Sequence, residues 1–291
     1  MTERQHNTLI TDFDNTLYDW FLVWNKSFSA MLFELEKISG IDREVLFPEI
    51  RAIHQKYHTS EYAFLIEEMP SLRKAYPNDD LISVFDDAIH AYRSARKSSL
   101  QLYPGVKDTL TELRSRGVLI VLYTESLAFY TNFRIRRLGL DDLIDFIYSP
   151  PDHALPSAAS GSLNSEDSRL QHAKHRFIPA GVIKPNPEVL LDIVHEIGRS
   201  PEETVYLGDS LMKDVAMAQD AGIVDILAEY GGVQHLTEYE LLQRVSHWSE
   251  TDVQRERVTS KRDIRPNNAI SQFGEILRFF GGPNEQRDQR S

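Results

Sequence analysis

The chain has 291 residues, of which 41% are hydrophobic and 26% are charged, and its formal net charge is −12. This composition is typical of a folded globular protein, and the length suits one large domain or two modest ones. Because the chain has no cysteine, disulfides, thiolate metal sites and a cysteine nucleophile are excluded, and a metal site must use oxygen or imidazole ligands. The negative net charge argues against non-specific nucleic-acid binding.

The N-terminal stretch MTERQHNT is polar and lacks the apolar segment of a signal peptide. No apolar run approaches the roughly 20 residues that a membrane-spanning helix needs. We therefore expect a cytoplasmic protein without a membrane partner. The sequence leaves the oligomeric state open.

The first third of the chain predicts one strand followed by a run of helices. Residues 8–14 carry an apolar strand pattern, and apolar residues spaced three and four apart then recur from about Trp20 to Lys97. No strand pattern interrupts this stretch. It therefore predicts an all-helical insert of about 80 residues.

From Gly105 onwards, helical and strand patterns alternate. The strand patterns occur at residues 118–125, 145–149, 204–209 and 223–228, with amphipathic helical patterns between them. Such alternation is typical of a parallel sheet with helices on both faces. We predict an α/β fold in which residues 1–19 and 101–291 form a discontinuous core and residues 20–100 form a separate helical domain.

Two stretches have weaker patterns. Residues 150–180 are small, polar and proline-bearing, which predicts a long loop. The last 40 residues predict one short strand and one terminal helix, and residues 284–291 predict a frayed tail.

Polar side chains lie at several predicted strand ends or helix starts. They are Asp12 and Asp14, Thr124, Lys184, and Asp209 with Asp214 one helical turn later. In an open parallel sheet, ligands bind at the carboxyl ends of the strands. We therefore expect these side chains to form one site.

The residue types and their order resemble the haloacid dehalogenase (HAD) superfamily. Asp12-Phe13-Asp14-Asn15-Thr16 is similar to its DxDx[TV] motif, Thr124 to its lone Ser or Thr, Lys184 to its lysine motif, and residues 208–214 (GDSLMKD) to its closing acidic motif. The resemblance covers residues 5–20 and 102–230, roughly. It implies a Rossmann-like core with an inserted helical cap at residues 20–100 and a phosphatase-type hydrolase activity.

The resemblance also implies a role for each residue. Asp12 would be the nucleophile that forms an aspartyl-phosphate, and Asp14 would be the general acid and base. Thr124 and Lys184 would bind the phosphoryl group of the substrate and support catalysis. The metal site would consist of Asp12, the backbone carbonyl of Asp14, Asp209 and Asp214. Asp209 would bind the metal directly, whereas Asp214 would bind a metal-bound water or orient Lys184.

Electrostatics independently call for cations at this site. Two carboxylates about 4 Å apart repel each other by ~4 kcal/mol at an effective dielectric constant near 20. A phosphate would be repelled as well. Lys184 would supply one positive charge, and a divalent ion bridging Asp12 and Asp209 would supply two more. Oxygen ligands and a phosphorylated substrate favour Mg²⁺ over zinc.

Several reactions remain possible within the resemblance. Asp14 disfavours a dehalogenase, because a halide leaves without being protonated. A phosphonatase would need a desolvated lysine for a Schiff base, for which Lys26, Lys37 and Lys56 are the candidates. A phosphomutase would keep the same motifs and stays open. The favoured interpretation is a Mg²⁺-dependent phosphatase.

A small phosphorylated metabolite is the expected substrate, since a helical cap would close over it and exclude bulk water. The stretch DFDNTLY is similar to the opening motif of relatives that hydrolyse nucleoside 5′-monophosphates, so a nucleotidase is one alternative. A non-catalytic HAD-fold binding protein is another. The presence of all four motifs argues against it.

Overall fold

The computed structural model describes residues 6–152, 169–179, 181–248 and 264–281. These residues divide into two compact units. The first, which we call the core unit, lies within Met1–Asp19, Gln101–Gly232 and Arg262–Ser291, and the second, the helical unit, lies within Trp20–Leu100 and Val233–Lys261.

The strands in the described part of the chain are β1 (Thr8–Thr11), β2 (Leu119–Tyr123), β3 (Phe146–Ser149), β4 (Lys174–Phe177), β5 (Thr204–Gly208), β6 (Val224–Ala228) and β7 (Ala269–Ile270). The α-helices in the same residues are α1 (Trp20–Ser39), α2 (Arg43–Tyr57), α3 (Leu65–Glu68), α4 (Pro70–Ala75), α5 (Leu81–Val84), α6 (Asp86–Ser99), α7 (Val106–Ser115), α8 (Ala128–Leu138), α9 (Pro187–Glu196), α10 (Ala216–Asp220) and α11 (Tyr239–Val245).

The core unit is built on one parallel sheet with the strand order β4-β3-β2-β1-β5-β6-β7. Every neighbouring pair runs parallel, so the carboxyl ends of the strands meet at one edge. β1 lies between β2 and β5, and all four of its residues are buried. Continuous apolar runs such as LIVLY in β2 fit a strand that is covered on both faces. The predicted α/β fold with a Rossmann-like parallel sheet and inserted helices is confirmed.

The stretch predicted as a loop at residues 150–180 contains a strand. β4 (KHRF) pairs with β3 at the edge of the sheet, and its side chains are exposed or half-buried. An edge strand needs only backbone pairing on one side, so its sequence carries no apolar run. Residues 153–168 and 180, also part of the predicted loop, lie outside the described residues.

At the C-terminal end, the predicted short strand corresponds to β7, which pairs with β6. The predicted terminal helix is a 3₁₀-helix, Phe273–Phe279, that buries Phe273 and Ile276. The predicted tail at residues 284–291 lies outside the described part of the chain.

The helical unit contains a chain segment that the predicted boundary assigned to the core. Residues 233–248 cluster with the helices of residues 20–100. The reason is the apolar face of α11, whose Tyr239, Leu242 and Val245 are buried in the same hydrophobic cluster as Phe21. The helical spacing of its apolar residues predicts this face, but no local sequence pattern predicts which of the two units the face packs against.

Polar contacts also attach α11 to α2. The last carbonyls of a helix have no partner within the helix. Here the guanidinium of Arg51 donates to Gln243 O at 3.4 Å, and the imidazole of His54 donates to Val245 O at 2.6 Å. Both side chains are thus engaged in holding the helical unit together. None of the helices in the described ranges combines the length and apolar character that a membrane crossing requires.

His54 makes the helical unit sensitive to acid. The residue is 1% exposed, and its Nδ1 must carry the proton because a carbonyl can only accept. Burial lowers the pKa of His54 to about 4. In the unfolded chain the same group titrates near its ordinary pKa of about 6.5. The folded state therefore keeps a neutral imidazole that the unfolded state would protonate.

We expect acidification from pH 7 to pH 5 to reduce the free energy of unfolding by about 2 kcal/mol through His54 alone. Its contribution is fully present above the unfolded pKa and is lost as the pH falls towards the folded pKa of about 4. Urea unfolding at the two pH values measures the loss. The control is His54→Asn, which keeps a hydrogen-bond donor but does not titrate, and its loss should be smaller by this amount. Equal losses in both proteins would rule out the assignment.

Candidate active site

The site lies at the carboxyl edge of the sheet, where β1 and β5 end side by side. Thr11 is in register with Leu207, and the Asp12 N–H donates to Leu207 O at 2.8 Å. Asp12, the residue after β1, therefore lies beside the end of β5. Asp209 is the residue after β5, so the two aspartates are neighbours at this edge of the sheet. Carboxylate oxygens of Asp12, Asp209 and Asp214 all lie within 4.8 Å of one another. Parallel pairing brings together aspartates that are almost 200 residues apart in the sequence.

A tight turn after β1 presents the first motif. Asn15 has a left-handed backbone with φ of 57°, a conformation that Asn tolerates better than most residues. The Thr16 and Leu17 N–H groups both donate to Phe13 O, which closes the turn. The Thr16 hydroxyl donates to Asp209 Oδ1 at 3.4 Å. The turn thus connects the first motif to the last.

Lys184 is the cation that faces the acidic cluster. Its Nζ donates to Asp12 Oδ1 at 2.5 Å and to Asp214 Oδ1 at 3.0 Å, and its side chain is 2% exposed. The ammonium also lies 4.9 Å from the ring centroid of Tyr123 and 5.6 Å from that of Tyr206. Aromatic rings of this kind stabilise a desolvated cation. Lys184 is therefore held between two carboxylates and two rings.

Backbone contacts fix where Lys184 enters the site. The Lys184 N–H donates to Glu125 Oε1 at 2.9 Å, and the Lys213 ammonium donates to Glu125 Oε2 at 2.5 Å. Just after the lysine, Asn186 Oδ1 accepts from Val189 N at 3.1 Å and caps α9. Although burial acts to raise it, the two lysines lower the pKa of Glu125, so this anchor stays ionised.

Thr124 follows β2 and is 1% exposed. Its N–H donates to Tyr148 O at 3.0 Å, and its Oγ1 accepts from Ser126 N at 3.1 Å. Because the oxygen accepts this bond, the hydroxyl proton can point towards a ligand. This arrangement suits the predicted role in binding phosphoryl oxygens, which stays a prediction.

Asp214 lies in a turn of π-helix, Leu211–Val215, that begins three residues after the end of β5. Its Oδ1 accepts from the Tyr206 hydroxyl at 2.9 Å and its Oδ2 from Ser210 N at 3.0 Å. A Cβ on Gly208 would lie 2.3 Å from the Asp214 Cγ. Only glycine therefore allows the carboxylate to fold back over the end of β5.

The carboxylates carry more negative charge than Lys184 can offset. Burial raises the pKa of Asp12 to about 7, with Lys184 acting against the rise and Asp214 adding to it. Burial and the charge of Asp214 also raise the pKa of Asp209 well above its ordinary value. Lys184 itself stays protonated: although burial acts to lower it, Asp12 and Asp214 hold the pKa of Lys184 well above its usual range.

The donor set fits a hard divalent cation. All the clustered ligand atoms are carboxylate oxygens, the type that Mg²⁺ prefers. A second positive centre would also offset the burial and the neighbouring carboxylate charges that raise the pKa values of Asp12 and Asp209. Both oxygens of Asp214 already accept hydrogen bonds, so Asp12 and Asp209 are the better placed for direct contact. Ligation by Asp12, Asp209, Asp214 and the backbone carbonyl of Asp14 stays a prediction.

Asp14 lies in a different environment from Asp12. Its Oδ1 accepts from the Tyr18 hydroxyl, and its Oδ2 accepts from the Ser126 hydroxyl at 2.5 Å. The Arg134 guanidinium lies 3.7 Å from Oδ1. The carboxylate is therefore directed towards neutral donors and an arginine, while that of Asp12 faces the lysine and the other aspartates.

Sequence reasoning missed the residues that hold the motif side chains. Glu125, Ser126, Arg134 and Tyr206 each contact a motif residue through a side chain. The positions of Glu125 and Ser126 just after Thr124 were the available signal. No sequence signal distinguished Arg134 or Tyr206. Each belongs to a predicted element, α8 or β5, in which an arginine or a tyrosine is an ordinary residue.

Residues 6–222 match the family model of haloacid dehalogenase-like hydrolases. The chain belongs to the haloacid dehalogenase-like hydrolase family. It is therefore an enzyme of the hydrolase class, as the resemblance of its motifs implied.

Named relatives of this HAD-family chain are phosphatases. The glyceraldehyde 3-phosphate phosphatase of Methanopyrus kandleri is 26% identical over 204 residues, which cover 68% of this chain and 72% of the relative. The ribulose-1,5-bisphosphate 5-phosphatase of Halopiger xanaduensis is 29% identical over 137 residues, which cover 47% of this chain and 46% of the relative. The chain thus spans most of the first relative and about half of the second.

Solved structures agree on the fold. The 2-haloacid dehalogenase of Pseudomonas syringae pv. Tomato DC3000 is 17% identical, with a TM-score of 0.53, and the match covers 94% of this chain and 97% of that one. At this identity the likeness concerns the fold alone.

We expect Gly231→Ala to disturb the turn of the first motif. The added methyl would lie 2.1 Å from Asn15 O and 2.6 Å from Asp209 Cβ, so the backbone of the turn must move. Overpacking of this kind lowers the free energy of unfolding by about 1–3 kcal/mol, which denaturant unfolding measures. Gly274→Ala is the matched control, since its methyl would make an ordinary contact at 3.6 Å with Thr109 Oγ1. Similar stabilities of the two variants would show that the turn has room for a side chain.

Proposed function

We propose that this protein is a Mg²⁺-dependent phosphatase that hydrolyses a small phosphorylated metabolite through an aspartyl-phosphate on Asp12. The observation that carries the proposal is the position of Lys184, whose ammonium lies between Asp12 and Asp214 with Asp209 in the same cluster. Carboxylates next to a buried cation suit phosphoryl transfer, which needs a nucleophile and charge neutralisation in one place.

In the first step, an Asp12 carboxylate oxygen attacks phosphorus, and the bond from phosphorus to the ester oxygen breaks. Asp14 gives its proton to that oxygen, so the product leaves as an alcohol. Lys184 and the Thr124 hydroxyl hold non-bridging oxygens of the phosphoryl group. A bound Mg²⁺, held by Asp12 and Asp209 with Asp214 and the Asp14 backbone carbonyl, would supply further positive charge to the phosphoryl oxygens.

In the second step, Asp14 takes a proton from a water molecule whose oxygen attacks phosphorus. The bond between phosphorus and the Asp12 oxygen breaks, which releases inorganic phosphate and restores the Asp12 carboxylate. Because Asp14 ends the first step without its proton, it is ready to act as the base in the second.

Phosphorylated sugars are the substrate class that we favour. The two named relatives act, by their names, on glyceraldehyde 3-phosphate and ribulose 1,5-bisphosphate. The helical unit, as the proposed cap, would then select among such metabolites. A nucleoside 5′-monophosphate is the alternative that the opening motif suggests, and a phosphomutase that keeps the phosphoryl group stays open.

The lysines that a phosphonatase would need argue against that reaction. Lys37 and Lys56 are exposed and paired with Glu34 and Glu68. Hydrogen bonds to these glutamates raise the pKa of Lys37 and that of Lys56, the latter to about 12. Lys26 is exposed as well. A Schiff-base lysine needs the opposite, a desolvated amine with a lowered pKa.

We expect the wild type to hydrolyse 4-nitrophenyl phosphate with Mg²⁺ and Asp12→Asn to lose at least about a thousandfold, because an amide oxygen is a poor nucleophile. Acid quenching with a ³²P-labelled substrate should trap phosphate on the wild type only. Asp108→Asn changes an exposed aspartate of α7 and should keep full activity. A panel of glyceraldehyde 3-phosphate, ribulose 1,5-bisphosphate, phosphoglycolate and a nucleoside monophosphate ranks the substrate classes. Equal activity of Asp12→Asn and wild type would overturn the proposal.

We expect Asp209→Asn to raise the metal-free melting temperature and to abolish the response to Mg²⁺. The substitution removes a buried carboxyl that is costly to ionise beside Asp12 and Asp214, and it removes a proposed metal ligand. A ligand that binds the folded state at 100 times its Kd stabilises it by about 2.7 kcal/mol, so the wild type should melt higher with Mg²⁺. Thermal unfolding with and without Mg²⁺ measures both effects, with Asp108→Asn as the control. A variant that responds to Mg²⁺ like the wild type would exclude Asp209 as a ligand.

A further inference from the structure

The surroundings of Asp14 leave its carboxylate little freedom. One oxygen accepts from the Tyr18 hydroxyl and the other from the Ser126 hydroxyl at 2.5 Å. The two donors come from different parts of the core unit, since Tyr18 follows the turn after β1 and Ser126 precedes α8. A carboxylate held at both oxygens keeps one orientation, and the proposed proton transfers depend on that orientation.

Arg134 lies behind this contact. Its side chain is 2% exposed, and its guanidinium carbon lies 5.7 Å from the ring centroids of Tyr18 and Tyr130. Nη1 is 3.2 Å from Ser126 Oγ and 3.7 Å from Asp14 Oδ1. An arginine this deeply buried is expensive to desolvate unless its charge and donors are engaged. One of the groups that compensates the Arg134 charge is the carboxylate of Asp14, a proposed catalytic residue.

The chemistry of the donors fixes the direction of the hydrogen bonds. A guanidinium has donors and no acceptor, so the Ser126 oxygen accepts from Arg134. The Ser126 hydroxyl proton is then directed to its other partner, Asp14 Oδ2. Without the guanidinium, the same hydroxyl could rotate towards other acceptors. Arg134 therefore acts on Asp14 through Ser126 as well as by its own charge.

We infer that Arg134 and Ser126 are positioning residues that fix the Asp14 carboxylate for proton transfer to the leaving oxygen. This inference rests on the proposed function, because Asp14 needs a fixed orientation only if it serves as the acid and base. A residue that merely anchors α8 would affect all substrates alike. A residue that positions the acid matters more when the leaving group needs protonation.

The test compares two substrates that differ in the leaving group. 4-Nitrophenolate leaves without much help from an acid, whereas the phenolate of phenyl phosphate needs more. The kcat/KM value reports the steps up to formation of the phosphoenzyme, so it isolates the acid step from the later attack of water. We expect Ser126→Ala to lower kcat/KM for phenyl phosphate about tenfold more than for 4-nitrophenyl phosphate. Arg134→Lys should shift the ratio in the same direction, and Ser126→Thr, which keeps the hydroxyl, should restore it.

Thr131→Val is the matched control for damage to α8. The Thr131 hydroxyl donates to Ser126 O and Leu127 O at the start of the same helix, and this variant should leave the ratio at the wild-type value. If Arg134→Lys fails to fold, Ser126→Ala decides the question. Equal losses on both substrates, or no loss, would overturn the inference while leaving the phosphatase intact. A wild type inactive on both substrates would overturn the proposed function itself.

Discussion

The structure depends on an imbalance of charge at the carboxyl ends of β1 and β5. Asp12, Asp209 and Asp214 place their oxygens within 4.8 Å of one another, and Lys184 supplies a single ammonium against them. Much of the surrounding architecture serves this contact. Gly208 leaves space for Asp214, the turn of π-helix aims it, and Thr16 reaches across to Asp209. Such an arrangement is unfavourable for folding alone, and under the proposed function a bound cation and a phosphoryl group would offset its cost.

The buried lysine is the part of this arrangement that most needs support. An ammonium taken from water without compensation would lose its proton. Lys184 keeps it because two carboxylates and the faces of Tyr123 and Tyr206 replace the lost water. The chain before Lys184 is held in turn by Glu125, whose other oxygen accepts from Lys213. The cation is therefore fixed in position by its backbone as well as by its charge partners.

Much of the fold and the placement of the motifs could be predicted from the sequence, because both depend on local signals. The apolar runs of β1, β2 and β5 identify central strands, and residues that directly follow parallel strands must meet at one edge. The features that could not be predicted from the sequence depend on tertiary context. β4 is an edge strand whose sequence KHRF needs no apolar face, and α11 has an apolar face that fits either unit. From the sequence, Arg134 is an ordinary helical arginine. Only the structure shows that its side chain is 2% exposed and contacts Asp14.

The two aspartates of the first motif are chemically identical, but their positions in the turn give them different surroundings. Asp12 directly follows a buried strand and faces Lys184 and the other carboxylates, the surroundings that its proposed roles as nucleophile and metal ligand require. The left-handed residue Asn15 turns the chain immediately after Asp14. The Asp14 side chain contacts two hydroxyls and a guanidinium, and under the proposed function these contacts would fix the direction of its proton transfers. Two carboxylates in environments that differ this much can act as nucleophile and as acid and base without competing for one role.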